Sequence, residues 1–494
     1  MDQSSIDKIR ATEVKSFAHF IDGAWCPASD SKTMDVLSPI DGTLLTQIAA
    51  GTKADVTGAV ASARGAFERG AWSRSAPAER KKVLLKLADF IERDALELAV
   101  LGVRDNGTEI GMAFKAEPMS AAATFRYYAE SIDKIYGQIA PTAPNVLGLV
   151  HHEPVGVVGV IVPWNFPLMI GSWKIAPALA AGNSVVLKPG ETASLTLLKI
   201  AELASEAGVP DGVFNVVTGE GRVVGEALAL SMDVDIIVFT GSGGTGRRLM
   251  EYSARSNLKR CYLELGGKSP NIIFNDAPDL AQAAKVSAAG IFRNSGQVCV
   301  AGSRLLIQED IHDDFVEELI KPAEAYRVGD PLDLNSQIGA VHSMPELDAN
   351  LRFVQTAQAE GGELRSGGAR ILTETGGYYM APTVMSGIKP QDNLFQKEVF
   401  GPVLAVTSFK DEADALRLAN GTDYGLAAGV WTSNLSRAHR MVAGIRAGVV
   451  HVNTYGGADL TVPLGGVKQS GNGHDKSLHA MDKYFDLKTA WIQL

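Results

Sequence analysis

Cysteine is scarce: Cys26, Cys261 and Cys299 are the only three in 494 residues. That excludes a disulfide framework and fits a reducing compartment, so a cytoplasmic location is expected. Positive charge is short as well. Lys and Arg total 46 against 56 Asp and Glu, a formal net charge of −10, which makes nucleic acid and anionic membrane poor partners. The first residues, MDQSSIDKIRATEVK, lack the apolar stretch of a secretory signal. One segment, Pro154 to Trp173, carries no charge. Pro163, Asn165 and Pro167 interrupt it, so it reads as a strand, a turn and a buried helix rather than a membrane span. No internal repeat or low-complexity linker is present. What remains is an ordinary globular profile, 46% hydrophobic and 21% charged. The length suits two or three domains at ~150 residues each.

The patterning is that of an α/β protein. From Val155 the runs "VGVVGVIV", "NSVVLKP", "GVFNVVTG" and "VDIIVF" alternate with helical segments. Such alternation predicts a doubly wound parallel sheet covered by helices on both faces. A second α/β block begins after Leu265 with "PNIIF" and continues to about Gly471. The first 70 residues read as a strand pair, "FAHFIDGAW" and "GTLLTQIAAG", followed by a helix. "KIYGQIAP" and "NVLGLVHHEP" are strand-like and are expected to pair with the main sheet. The tail "DKYFDLKTAWIQL" alternates polar and apolar residues and can add a strand.

Five turns carry candidate chemistry. "FTGSGGTG" follows a strand and opens a helix, with Gly241, Gly243 and Gly246 matching G-x-G-x-x-G. It reads as a dinucleotide site or as a plain tight turn. The usual acid about 20 residues on would be Glu264. "LKPGE" offers a better-placed carboxylate, because Lys188 and Glu191 stand at a strand's C-terminal end; they could equally form a loop ion pair. In "PWNFP" Asn165 offers an amide to an oxyanion or serves the turn. In "LELGGKSP" Glu264 is a general base or half of a salt bridge. Cys299, in "NSGQVCVAGSR", is either a small core residue or a thiolate nucleophile. Gly296, Ala301 and Gly302 leave a path to it.

Taken together, "PWNFP", "KPGE", "FTGS", "LELGGKSP", "GQVCVAGSR" and "EVFGPV" resemble the aldehyde dehydrogenase superfamily, in order and spacing, over nearly the whole chain. The resemblance implies a coenzyme domain (1–131 and 155–266), a catalytic domain (267–470), and an oligomerisation arm and tail (132–154 and 471–494). It implies Cys299 as nucleophile, Glu264 as base, and Asn165 with the Cys299 N–H as oxyanion hole. NAD would be held by Trp164, Lys188, Glu191, Gly241, Ser242, Gly246, Glu398 and Phe400, with no metal. Thiolate attack, hydride loss and hydrolysis of a thioester would turn an aldehyde into a carboxylic acid. Three departures stand out: Gly190 and Gly243 replace the usual serine and threonine, and His474 replaces an arginine beside Asp475.

The end of the chain is similar to bacterial enzymes for ω-amino and γ-glutamylamino aldehydes. The substrate tunnel is expected at Met169, Trp173, Val298, Val300 and Tyr455, with Asp459 reading a cationic far end. A broad-specificity or aromatic aldehyde dehydrogenase is the alternative. A thioesterase without redox chemistry, transfer to coenzyme A and an inactive binding protein are the rivals. A homodimer or homotetramer is expected.

Overall fold

The valine-rich runs become strands that are buried on both faces. Val157–Ile161, Ser184–Lys188, Phe214–Val216 and Ile236–Thr240 lie parallel, with Arg260–Glu264 at one edge. In a computed structural model that describes residues 1–457 and 459–494, this sheet has seven strands. Their order is Arg260–Glu264, Ile236–Thr240, Val157–Ile161, Ser184–Lys188, Phe214–Val216, His19–Ile21 and Ala24–Cys26. The chain starts in the middle, runs out to Phe214–Val216 and crosses back to Ile236–Thr240. Such a reversal opens a crevice at the C-terminal ends of the strands. Those ends are Ile161, Lys188, Thr240 and Glu264, so four of the five motif turns project from one edge.

The helix Pro167–Ala181 follows the "PWNFP" turn. It has proline in its first turn and stops at Gly182, whose φ of +97° is a left-handed cap suited to glycine. It is buried almost all round; within it only Met169 and Trp173 are partly exposed. These two line the cavity beside Cys299 described below.

The second sheet also has seven strands, in the order Glu363–Ser366, Thr383–Ser386, Val403–Phe409, Arg304–Gln308, Pro270–Ile273, Ala427–Trp431 and Val449–Val452. Its neighbours are parallel except at the Glu363–Ser366 edge. The Cys299 turn leads directly into the central strand Arg304–Gln308.

Two expectations need correction. "FAHFIDGAW" is a hairpin by itself: Asp22 (φ +53°) and Gly23 (φ +75°) make the two-residue turn between His19–Ile21 and Ala24–Cys26. "GTLLTQIAAG" pairs instead with Thr33–Leu37. The segments expected to join the main sheet form a separate one, in which Val146–Pro154 pairs with Phe485–Gln493 over nine residues and Gln138–Ala140 takes the other side. The parallel strands of the main sheet have no edge to offer them. The amino-terminal hairpin closes one side. Chain 470–473 closes the other, where Leu263 O accepts from the N–H groups of Asn472 and Gly473, and Leu265 N donates to Ser470 O. The Pro154 to Trp173 run is strand, turn and helix as read, and no helix among the described residues is long and apolar enough to cross a membrane.

Candidate active site

The Cys299 turn is held in a costly conformation. After the helix Leu280–Phe292, Asn294, Ser295 and Gly296 take left-handed backbone with φ of +49°, +52° and +72°. Two successive non-glycine residues there persist only if their surroundings fix them. Thr108 Oγ1 donates to Asn294 Oδ1 (2.7 Å), Ser295 Oγ donates to Gly339 O (2.9 Å), and the His342 N–H donates to Gln297 Oε1 (2.8 Å). Gln297 is therefore a clamp. The turn leaves Cys299 partly exposed on the wall of a cavity of about 250 Å³.

Asn165 is tied to the same turn. Its Nδ2 donates one hydrogen to Gln297 O (2.9 Å), which leaves the second N–H for another acceptor. Gly266 and Gly267 allow the next close approaches. A β-carbon on Gly266 would lie 2.0 Å from Glu398 Oε2, and one on Gly267 2.6 Å from Cys299 O. The bare Gly267 N–H donates to Glu398 Oε1 (2.8 Å).

Glu264 is buried at its strand end, and its Oε1 has no hydrogen-bond partner among the described residues. Burial, then the Asp475 charge, raise its pKa well above the carboxylate range, against the pull of Lys174 and Lys483. Asp475 accepts from Lys174 Nζ (2.5 Å) and Lys483 Nζ (2.8 Å). Burial pushes Asp475 up, but the two ammoniums outweigh it and hold it below its usual value. His474, in the arginine position, contributes its carbonyl to Lys483 Nζ (2.6 Å). The Cys299 thiol is pushed up to about 12 by burial and then by the negative charge of Glu398 and Glu264. Glu398 itself rises to about 7 through burial, opposed by the Gly267 N–H and Lys268. At rest, thiol and carboxyls compete for charge, because neighbouring anions disfavour one another.

The crevice at the sheet edge is a cavity of about 590 Å³ lined by Trp164, Lys188, Glu191, Gly241 and Ser242, among others. The Trp164 ring stacks on His342 (4.2 Å) and meets the edge of Phe400 (5.4 Å), itself at φ +60°. The Lys188–Glu191 ion pair exists but is long, at 3.9 Å, and leaves the Glu191 side chain 41% exposed. Lys188 Nζ donates to Pro189 O (2.8 Å), and burial lowers its pKa to about 8. Ser242 caps the helix Gly243–Ala254 by accepting from the Thr245 N–H. A β-carbon on Gly246 would strike Leu265, whereas one on Gly244 meets nothing within 4 Å, so the space before the helix N-terminus is open. A helix N-terminus beside a buried lysine and a half-exposed carboxylate fits a dinucleotide: phosphate at the first, ribose hydroxyls at the others. Glu264 does not line this crevice.

Met169, Trp173, Val298 and Val300 line the cavity beside Cys299; Tyr455 and Asp459 are not among its lining residues. Tyr455 stands behind the wall, its hydroxyl donating to Val300 O (2.9 Å) and its ring filling the space above Gly302 and Gly429. Asp459 is exposed and satisfied locally, accepting from Thr461 N (2.8 Å) and Oγ1 (2.7 Å). Arg293, His451 and Lys476 line the cavity and were missed. Lys174 was missed too, although it is the sole charged residue of the helix Pro167–Ala181, a visible signal.

The family model described as "Aldehyde dehydrogenase family" matches residues 25–490. The chain is 48% identical to the NADP/NAD-dependent aldehyde dehydrogenase PuuC of Escherichia coli (strain K12), covering 96% of this chain and 95% of that protein. The solved γ-glutamyl-γ-aminobutyraldehyde dehydrogenase of Burkholderia cenocepacia J2315 superposes with a TM-score of 0.97 at 48% identity, over 100% of both chains. A solved indole-3-acetaldehyde dehydrogenase in complex with NAD+ gives 0.98 at 47%, again over 100% of both chains.

Proposed function

The chain belongs to the aldehyde dehydrogenase family, oxidising an aldehyde to a carboxylic acid with NAD, and we propose that its substrates are aliphatic amino aldehydes, free or acylated. The names of the similar proteins support this reading. So do the apolar walls formed by Met169, Trp173, Val298 and Val300, which suit a methylene chain. The observation that carries the activity is the meeting of three groups at one strained turn: the Cys299 thiol, the Asn165 amide clamped to Gln297, and the Glu398 carboxylate against Gly267.

The Cys299 sulfur adds to the aldehyde carbon, and its proton passes to a neighbouring carboxylate. The oxyanion so formed accepts from the free Asn165 N–H and the Cys299 backbone N–H, donors already in place before charge develops. Trp164, Lys188, Glu191, Gly241, Ser242, Gly246, Glu398 and Phe400 would hold NAD. When bound, it supplies the hydride acceptor that leaves a thioester on Cys299, and its cationic ring favours the thiolate. Glu264 then takes a proton from the attacking water; the acid departs and the thiol is restored. A water-activating base under the thioester supports hydrolysis over transfer to coenzyme A.

Ile139, Leu487 and Trp491 on the arm sheet are 75%, 68% and 66% exposed. Leu487 and Trp491 share one face of that sheet and Ile139 lies on the other; exposed apolar side chains of this kind suit a second copy, so we take the enzyme to be a homodimer or homotetramer. Three unpaired cysteines support a reducing cytoplasm. The two seven-stranded sheets and the three-stranded arm sheet support division into a coenzyme domain, a catalytic domain and an arm. NADH formation across aliphatic, aromatic and amino aldehydes tests the reading. Wild type should favour the aliphatic members, above all amino aldehydes whose amine is acylated, and Cys299→Ala should abolish turnover. Equal rates across the panel, or turnover surviving in Cys299→Ala, would overturn it.

A further inference from the structure

Two cations and no carboxylate stand among the described residues lining the substrate cavity: Arg293 and Lys476. We infer that the cavity selects aldehydes whose far end carries a carboxylate, bound by the Arg293 guanidinium with Lys476 beside it. The inference rests on the aldehyde dehydrogenase reading above and reverses the cationic far end expected from Asp459.

Arg293 is built for this. It leaves the helix Leu280–Phe292 and enters the left-handed run Asn294 to Gly296, so the piece of backbone that fixes Cys299 also fixes the guanidinium. Gly456, at φ +77°, gives it room: a β-carbon there would lie 3.1 Å from Arg293 Nη2 and 3.2 Å from Nη1. Only a glycine, which takes that backbone without strain and adds no side chain, leaves both nitrogens clear. Arg293 Nε is buried and has no hydrogen-bond partner among the described residues. A guanidinium carries five N–H donors in a planar fork that matches a carboxylate. Left among apolar walls its donors are costly to desolvate; an incoming carboxylate satisfies them.

Lys476 adds charge of the same sign. It too is held in left-handed backbone (φ +66°), followed by Ser477 (φ +51°). Its Nζ lies 5.7 Å from the centroid of the Trp173 ring, a cavity wall. Asp459 and Asp475 act on it through space, but neither lines the cavity. The carboxyl nearest in effect to Arg293 is Glu109, itself buried and raised to about 7. His451 lines the cavity beside Arg293; burial and then that charge keep it below its usual pKa, which favours its neutral form. A bare ammonium at the substrate's far end would meet two like charges here. An amine acylated by a dicarboxylic acid loses the ammonium and keeps a carboxylate, which satisfies both this inference and the amino aldehyde reading.

The test compares aldehydes that share the stem OHC–CH2–CH2 and end in a carboxylate, an isopropyl group or an ammonium: succinic semialdehyde, isohexanal and β-aminopropionaldehyde. Adipic semialdehyde, against an equally long neutral aldehyde, covers a deeper carboxylate site. NADH formation gives kcat/KM for each in wild type, Arg293→Gln, Arg293→Lys and Lys476→Gln. In wild type at least one semialdehyde should exceed its neutral partner by about ten- to hundredfold, the range of a charge-assisted hydrogen bond, and the ammonium aldehyde should be poorest. Arg293→Gln should remove most of the preference, with Arg293→Lys between. A wild type that prefers the neutral or ammonium aldehydes overturns the inference even if every variant fails to fold. So does a preference that Arg293→Gln leaves in place. No NADH from any aldehyde would instead sink the underlying reading, and this one with it.

Discussion

Replacing Asp475 by asparagine keeps the shape of the side chain and removes its charge. In the native protein that carboxylate takes one bond from Lys174 (2.5 Å) and one from Lys483 (2.8 Å), and Lys174, Asp475 and Lys483 are 1%, 1% and 6% exposed. Breaking a buried ion pair on one side costs about 3–5 kcal/mol, because the stranded charge has no water to return to. The lower end is more apt, since Lys483 keeps the His474 carbonyl and the new amide oxygen accepts one bond. With an unfolding entropy of about 2.1 cal/mol/K per residue, the chain of 494 residues loses ~1 kcal/mol per degree, so Tm should fall by about 3–5 °C. Asp475 has its pKa depressed below 3.8. Its stabilisation is therefore present above that value and lost as pH falls through the native one. The Tm gap should stay level from neutral pH down to about 5 and close only in stronger acid. Catalysis should respond separately. The Asp475 charge raises Glu264 while Lys174 and Lys483 lower it; without Asp475 the two ammoniums act unopposed, and Glu264 ionises at lower pH. The acid limb of the thioester hydrolysis rate, followed in single turnovers, should move to lower pH. Scanning calorimetry and stopped-flow fluorescence read the two effects. A Tm gap under about 1 °C with an unmoved acid limb would refute the reasoning.

The other predictions concern the cofactor and the thiol. Glu191→Gln should weaken NAD binding and relax discrimination against NADP, because the half-exposed carboxylate no longer repels a 2′-phosphate, whereas Glu264→Gln should leave NAD affinity near wild type while slowing turnover. Titration calorimetry with both nucleotides decides, and the opposite pattern would exchange the two roles. Gly266→Ala places a β-carbon 2.0 Å from Glu398 Oε2, so it should displace that carboxylate and cost NAD affinity in a protein that still folds; an unchanged Kd would show that Glu398 does not serve the cofactor. Without nucleotide, iodoacetamide should modify Cys299 slowly at neutral pH and about tenfold faster per pH unit above it, since the thiol ionises only near about 12. Peptide mass spectrometry that finds a rate already level at pH 7 contradicts this.

The central sheet was legible because its strands are buried on both faces, and an unbroken Val157–Ile161 run has few other ways to fold. The motif turns were legible for a related reason: strand ends in such sheets share one edge, so position in sequence gives position in space. The pairing of Val146–Pro154 with Phe485–Gln493 was not. It depends on which edges remain open, and chain 470–473 had already closed the one nearest. Arg293 and Lys476 were missed because left-handed backbone at residues 294–296 and 476–477 decides where they point, and no periodicity announces it. Asp459 misled for the converse reason. Its loop was visible in the sequence, but the Thr461 contacts that satisfy it were not.

Segment 470–493 closes the edge beside Glu264, brings Asp475 and Lys483 beneath it, carries Lys476 to the cavity and ends in the arm strand. All of this is synthesised after the strands and helices it completes. A ribosome that has released only the chain up to that point exposes an unfinished sheet edge, and Glu264 there has Lys174 but lacks Asp475 and Lys483, two of the three charges that set its proton. Competence therefore arrives late in translation, and a messenger truncated before this segment yields an inert protein with an open sheet edge, a ready substrate for cellular proteolysis.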